Sequence, residues 1–243
     1  SIFKSNKRLL LFLIEDKIMV MDDHIVRKIT TEKFIRAKYP QYFSPEILPF
    51  ITENWIKNYL INNPYSLDLI DEIKQEIPED FDEKRKIGEN DDYICELIRK
   101  DSIEDFVIFV NRTLHPLNSM ITPSIYETNN YLLKKQSSTS LIEYAAFYGS
   151  IQIFNYLRLN NVTLRQSLWL YAIHGKNAEL IHLLEQDGIK PVDLTYKKCV
   201  KESLKCHCND IVNYFKDNFL KDAESNSQNI LDRSLKYYNF QFI

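Results

Sequence analysis

Ala146 and Gly149 recur 26 residues later as Ala172 and Gly175 (172 − 146 = 26; 175 − 149 = 26). Each copy carries an apolar stretch of helical spacing on both sides of its glycine. In the first these are Leu141 to Phe147, then Ile153, Phe154 and Leu157; in the second they are Leu168 to Ile173, then Leu180, Leu183 and Leu184. A period between about 20 and 50 residues with two helices per unit is that of a solenoid, whose layers bury their apolar faces only by stacking. Small residues gather at one point of the unit. Ala145 and Ala146 let the first helix approach its neighbours, and Gly149 ends it in a left-handed conformation at little steric cost.

Two weaker copies flank this pair. After it, Ser203 takes the place of Ala172 (203 − 172 = 31) and Ile211-Val-Asn-Tyr-Phe215 supplies the second helix. Before it, Tyr93 to Asn111 repeats the pattern with Asp101 at the turn. The spacing predicts about four helix pairs over 91–222, turning near Asp101, Gly149, Gly175 and Cys206.

Ser140-Leu-Ile-Glu-Tyr-Ala-Ala-Phe-Tyr-Gly149, continuing through Ile153 and Leu157, resembles the ankyrin signature Thr-Pro-Leu-His-x-Ala-Ala-x-x-Gly-His-x-Glu-Ile-Val-x-x-Leu-Leu-x-x-Gly-Ala. In the next copy Ala172, Gly175, Glu179, Leu183, Leu184 and Gly188 match, with one extra residue after the turn. The departures are specific. The Thr-Pro start is lost in every copy, Glu143 and Trp169 replace the histidine, and Asn161 stands where the closing glycine belongs. The family's step is about 33 residues, so a 26-residue step predicts short connections in place of projecting hairpins. The chain is similar to divergent, protist-type ankyrin-like proteins with a helical leader, a resemblance that covers residues 90 to 220. It implies an all-α fold, a helical-hairpin solenoid of ankyrin type with an N-terminal short-helix region.

Residues 1–90 form that leader and its linker. Leu9 to Ile14 is an apolar run of six residues, too short to span a bilayer, and reads as a buried helix segment. Asp22 and Asp23 can cap a helix, and Ser44-Pro45 predicts a helix start running on to Leu60. The run Ile77 to Lys86, acidic and then basic, reads as part of a linker lying over the surface. A long insertion, 112–138, separates the first two helix pairs. Its Ile121, Tyr126, Tyr131 and Leu132 are too apolar for a free linker and predict an ordered binding finger, with cover for the end of the leader as the alternative. Residues 223–243 leave the repeat and either cap the last layer or reach to a partner.

Composition removes several classes of function. Thirty-one basic and 34 acidic residues give a net charge of -3 and no cationic field for a phosphate backbone, so nucleic acid is not the expected partner. Four glycines in 243 residues leave no glycine-rich phosphate loop, and Asn becomes the expected helix terminator. The irregular Cys95, Cys199, Cys206 and Cys208 predict reduced thiols and a cytoplasmic or cytoskeletal setting. Cys206-His207-Cys208, with Cys199 and with His174 or His182, supplies soft ligand types. Neighbours two apart on a helix point to different faces, however, and no second paired motif completes a tetrahedron. The expectation is therefore no metal, no cofactor and, with no nucleophile–base–acid pattern, no catalysis.

The resemblance implies protein binding. Residues before the turn glycine and at the start of the first helix face the groove of ankyrin-like proteins, which assigns Arg99, Lys100, Phe147, Tyr148, Arg165, Ile173, His174, Leu204 and Lys205 to the partner. Phe147 and Ile173 have packing beneath the insertion as their alternative. Tyr126 and Tyr131 join the set from the insertion. The expected role is a protein-protein interaction module or adaptor, with a structural component of a larger cytoskeletal or scaffold assembly as the alternative and no insertion into a membrane.

Overall fold

A computed structural model describes residues 6–63, 67–135, 138–220 and 223–242. Among them the regular secondary structure is helical, with no strand. In chain order the helices are α1 (Lys7–Glu15), α2 (Asp23–Ile29), α3 (Glu32–Arg36), α4 (Tyr39–Tyr42), α5 (Ser44–Ile47), α6 (Glu53–Asn62), α7 (Leu67–Ile73) and α8 (Phe81–Ile87). There follow α9 (Tyr93–Arg99), α10 (Ile103–Thr113), α11 (Asn130–Leu133), α12 (Leu141–Tyr148), α13 (Ile151–Leu159), α14 (Leu168–Gly175) and α15 (Ala178–Gln186). The last three are α16 (Lys197–Lys205), α17 (Asn209–Phe219) and α18 (Ala223–Lys236). Two compact units result, Ser1–Asp92 with Thr122–Ser137, and Tyr93–Ile121 with Ser138–Ile243.

In the first unit short polar caps start α1, α2 and α6. Asn6 accepts from the Leu9 amide at 3.0 Å, Asp22 from Ile25 at 2.7 Å and Thr52 from Trp55 at 3.2 Å, each satisfying a donor that the first turn leaves open. The single helix expected from Pro45 to Leu60 is broken. α5 passes into a 3-10 turn at Leu48–Phe50, where Pro49 cannot donate to a helical ladder, and Thr52 then caps α6 as a new helix.

The stretch read as a linker lies on the surface at 74–80, exposed and outside any helix, but its flanks form α7 and α8 and enter the core. Leu69, Ile70 and Ile73 of α7 join the core with Val26, Tyr42, Phe43 and Ile47. The mixed-charge run forms α8, whose Arg85 is 5% exposed. Its guanidinium donates to both Glu46 oxygens at 2.8 and 2.9 Å, to the Tyr42 carbonyl at 3.2 Å and to Asp82 at 2.9 Å. Most of the run's charges stay at the surface, and Arg85 alone is drawn inside as half of a buried ion pair.

The second half of the insertion packs on the leader. Phe81 meets Tyr126 edge to face at 5.6 Å, Asn90 Nδ2 donates to the Thr122 carbonyl at 2.7 Å, and the Thr128 hydroxyl donates to the Gly88 carbonyl at 2.7 Å. The buried Lys7 amine donates to the carbonyls of Ile125 (2.9 Å) and Glu127 (3.0 Å), with its charge over the Tyr42 ring.

The second unit holds four helix pairs, α9–α10, α12–α13, α14–α15 and α16–α17. Their first helices pack in succession, α9 on α12, α12 on α14 and α14 on α16, and α18 continues the row against α16. Left-handed residues end the first helices at Asp101, Gly149, Lys176 and His207. Six-residue backbone bonds close three of these turns, Ser102 to Leu97, Ser150 to Ala145 and Cys208 to Ser203. The last two turns fall one residue beyond the Gly175 and Cys206 read from the spacing. Gly175 itself remains helical, because a Cβ there would lie 2.2 Å from the Ala146 carbonyl oxygen; its task is close approach and not a left-handed bend. Asn161, with φ 58°, ends α13 as expected, but Asn is not the general terminator: Asp101, Leu114, Lys176 and His207 hold the left-handed position at other helix ends.

Cross-layer polar contacts hold the pairs. The Asp101 carboxylate accepts from the Gln152 and Ile153 amides at 3.1 and 3.0 Å, capping α13 from the neighbouring turn. Glu143, in the place of the motif histidine, closes a capping box with Ser140 and accepts from the Ser167 hydroxyl at 2.5 Å. After α18 the chain turns back, and Asn239 Nδ2 donates to the Leu204 carbonyl at 3.1 Å and to Asn209 at 2.7 Å, closing the end of the last pair.

Candidate functional site

The stacking of first helices brings their C-terminal ends into one row. Each end presents carbonyls without helical partners and a partial negative charge, which favours basic side chains. Arg99, His174 and Lys205 occupy the last turns of α9, α14 and α16. The row is continuous. Arg99 Nη1 donates to the Tyr144 hydroxyl at 2.9 Å, and Tyr144 lies 4.8 Å from the Tyr148 ring. Tyr148 meets Phe147 at 5.1 Å, and Phe147 stacks on the His174 imidazole at 4.8 Å and 27°. His174 Nε2 lies 3.1 Å from Glu202 Oε1, which accepts from Lys205 Nζ at 2.6 Å.

The residues assigned to a partner from the sequence divide by exposure. Lys100, Lys205 and Arg165 are exposed, and Arg99, Tyr148 and His174 are half-buried. Phe147, Ile173 and Leu204 are buried and serve as packing beneath the row, so the groove-facing role expected for these three fails. Arg165 stands apart, donating to the Ser138 carbonyl at 3.4 Å and lying 3.9 Å from Glu143. Tyr126 is buried in the first unit and is corrected in the same way, while Tyr131 is half-buried there.

His174, Glu202 and Cys206 form the densest chemical group of the row. Cys206 Sγ lies 3.5 Å from His174 Nδ1 and 3.7 Å from Nε2, and the three residues' ligand atoms all fall within 4.8 Å of one another. Burial alone would raise the Glu202 carboxyl, but hydrogen bonds from His174 and Lys205 hold it at about 2 and keep it ionised. Burial, reinforced by Glu202, pushes the Cys206 thiol up to about 12. A thiol so protonated is a weak nucleophile at neutral pH.

The sequence does not single out Glu202, and it presents Cys206 as a turn residue and as a ligand type whose spacing argues against a metal. The signal lay in the repeat: Cys206 occupies the position of Gly175 one step on (206 − 175 = 31), which sets it beside the residue preceding that glycine, His174. The adjacent Cys-His-Cys motif does not converge. His207 is exposed in a left-handed turn, and Cys208 is buried with Sγ 3.5 Å from the Ile173 carbonyl.

In the first unit a cleft of about 300 Å³ is bordered by Arg27, Thr31, Trp55 and Tyr59, the last two rings stacked at 4.8 Å. Among the described residues no helix is long and apolar enough to cross a membrane. No protein-family model, curated protein or solved structure matches the chain.

Proposed function

We propose that the second unit is a divergent ankyrin-type module that binds another protein and performs no catalysis of its own. The observation that carries this reading is the row at the first-helix ends, where Arg99, Lys100, Tyr148, His174 and Lys205 stay at least partly exposed across successive layers. Arg and aromatic side chains offer large contact areas with few rotors to freeze, which is the chemistry of interface hot spots. Lys100 and Lys205 are paired with Glu96 and Glu202, and the chain's net charge of -3 supplies no cationic field for a phosphate backbone, so a protein is the favoured partner. The protonated Cys206 is in keeping with a binding role, and four cysteines with no disulfide among them with a reducing cytoplasmic or cytoskeletal location.

A photo-crosslinking residue placed at position 148 of the full chain tests the reading in the native cell. One protein is expected to be captured, and K100E/K205E is expected to abolish the capture while helicity is retained. Capture unchanged by this charge reversal would overturn it.

A second reading, a structural part of a larger assembly, has one observation in its favour. Leu235, Tyr238 and Phe240 are 51%, 74% and 67% exposed on the C-terminal segment, more apolar surface than a cap needs. Y238A/F240A would release the protein from such an assembly and leave capture at position 148 intact.

A further inference from the structure

We propose that His174, Glu202 and Cys206 bind a borderline-soft divalent cation of the Zn²⁺ class, clamping the third helix pair to the fourth. The donor set is an imidazole nitrogen, a carboxylate oxygen and a thiol sulfur. Each is a zinc ligand, and three of them leave the fourth tetrahedral position to a water molecule. Hard cations such as Mg²⁺ or Ca²⁺ select all-oxygen sets and do not match this one.

Distances support the assignment. With Zn–S of about 2.3 Å and Zn–N and Zn–O of about 2.1 Å, a tetrahedron places S and N about 3.6 Å apart and N and O about 3.4 Å apart. The separations here are 3.7 Å from Cys206 Sγ to His174 Nε2 and 3.1 Å from Nε2 to Glu202 Oε1, with all three ligand atoms within 4.8 Å of one another; Sγ also lies 3.5 Å from Nδ1, so the thiol must rotate toward the Nε2 side of the ring to share an ion with it.

The ligands are also held in place. Glu202 and Cys206 are four residues apart at the end of α16 and so share one helical face. His174 approaches from α14 with its ring fixed against buried Phe147. Cys208 contributes nothing, since it faces the Ile173 carbonyl. The competitor for the site is Lys205, whose amine donates to Glu202 Oε1; being exposed, it can move into solvent when a dication takes its place. On binding, the Cys206 S–H bond breaks, its proton passes to water and a sulfur–metal bond forms, with no change of oxidation state.

Cobalt(II) titration of the purified, reduced full chain tests the site. The expected result is one equivalent bound, with a sulfur-to-cobalt charge-transfer band and the ligand-field bands of a tetrahedral ion, all displaced by Zn²⁺. C206S should abolish the charge-transfer band, H174A should weaken binding at least about tenfold, C208S should leave the band intact, and K205A should tighten binding. Helicity is followed in each variant. Absence of the charge-transfer band in the folded wild type overturns the proposal, as does its persistence in C206S or its loss in folded C208S.

Discussion

Gly149 and Gly175 meet backbone to backbone: a Cβ on Gly149 would lie 2.7 Å from the Gly175 carbonyl oxygen, and a Cβ on Gly175 would lie 3.0 Å from the Gly149 nitrogen. The 26-residue repeat therefore brings its own two glycines into contact, and the distance between α12 and α14 depends on neither having a side chain.

Gly175→Ala should destabilise the second unit by about 3 kcal/mol or more, since the atoms in its way are backbone and cannot rotate aside. Gly188 is the control. It has φ 66° and open space around its Cβ position, so Gly188→Ala should cost only the left-handed strain of about 1 kcal/mol. Urea unfolding followed through Trp169 ranks the two; equal losses would remove the close-approach argument.

Asp101 caps a helix that is not its own. Asp101→Ala should cost about 1–2 kcal/mol, combining the lost cap of α13 with strain at φ 48°, whereas Asp101→Asn keeps tolerance of the left-handed turn and should cost less. Hydrogen exchange at the Gln152 and Ile153 amides provides the local readout, and protection unchanged in Asp101→Ala would disprove the cross-layer cap.

Arg85 and Glu46 are joined inside the first unit, with side-chain exposures of 6% and 17%. Removing one partner strands the other charge, so Arg85→Ala should destabilise this unit by about 3 kcal/mol. Arg85→Met with Glu46→Gln should recover part of that loss, because neither remaining side chain is ionised. A double-mutant cycle measured through Trp55 separates the pair from simple packing.

Lys7 gives the first unit a pH dependence of known sign. Burial lowers its amine from 10.5 to about 7, with Glu127 acting in the opposite direction and Lys38 adding to the fall. Between those values the unfolded chain holds a proton that the folded chain releases, so stability rises with pH by up to about 1.4 kcal/mol per unit. The benefit is fully present above 10.5 and is lost as pH falls through about 7. Burial raises the Tyr39 and Tyr42 hydroxyls, so near and above pH 10 the folded chain keeps protons the unfolded chain loses and the trend reverses. Denaturation of a W169F chain, read through Trp55 from about pH 7 to about 9.5, should show the rise. Lys7→Met should flatten it, and a slope unchanged by Lys7→Met would assign the effect elsewhere.

Local signals carried the helix pairs into view. Gly149 and Asn161 were readable as left-handed terminators, and Asp22 as a cap, because each acts on backbone within a few residues of itself. Pro49 was readable too, but the periodicity around it outweighed the break it imposes. Arg99, Lys100, Tyr148, His174 and Lys205 are grouped by what the ankyrin resemblance implies for residues before the turn. Which of the assigned residues face solvent did not follow, and Phe147, Ile173 and Leu204 proved to be interior.

The sequence by itself determined an all-helical chain, the places where its pairs turn and the small residues that crowd one turn, since periodicity, caps and glycine scarcity are properties of neighbouring residues. Tertiary structure alone decided that Arg85 and Lys7 are buried, that residues 122–135 pack with the leader and that Glu202 reaches His174. Those outcomes depend on the dielectric and the partners supplied by segments tens of residues away, and a charge run or an isolated cysteine reads alike in solvent and in a core until the chain has folded.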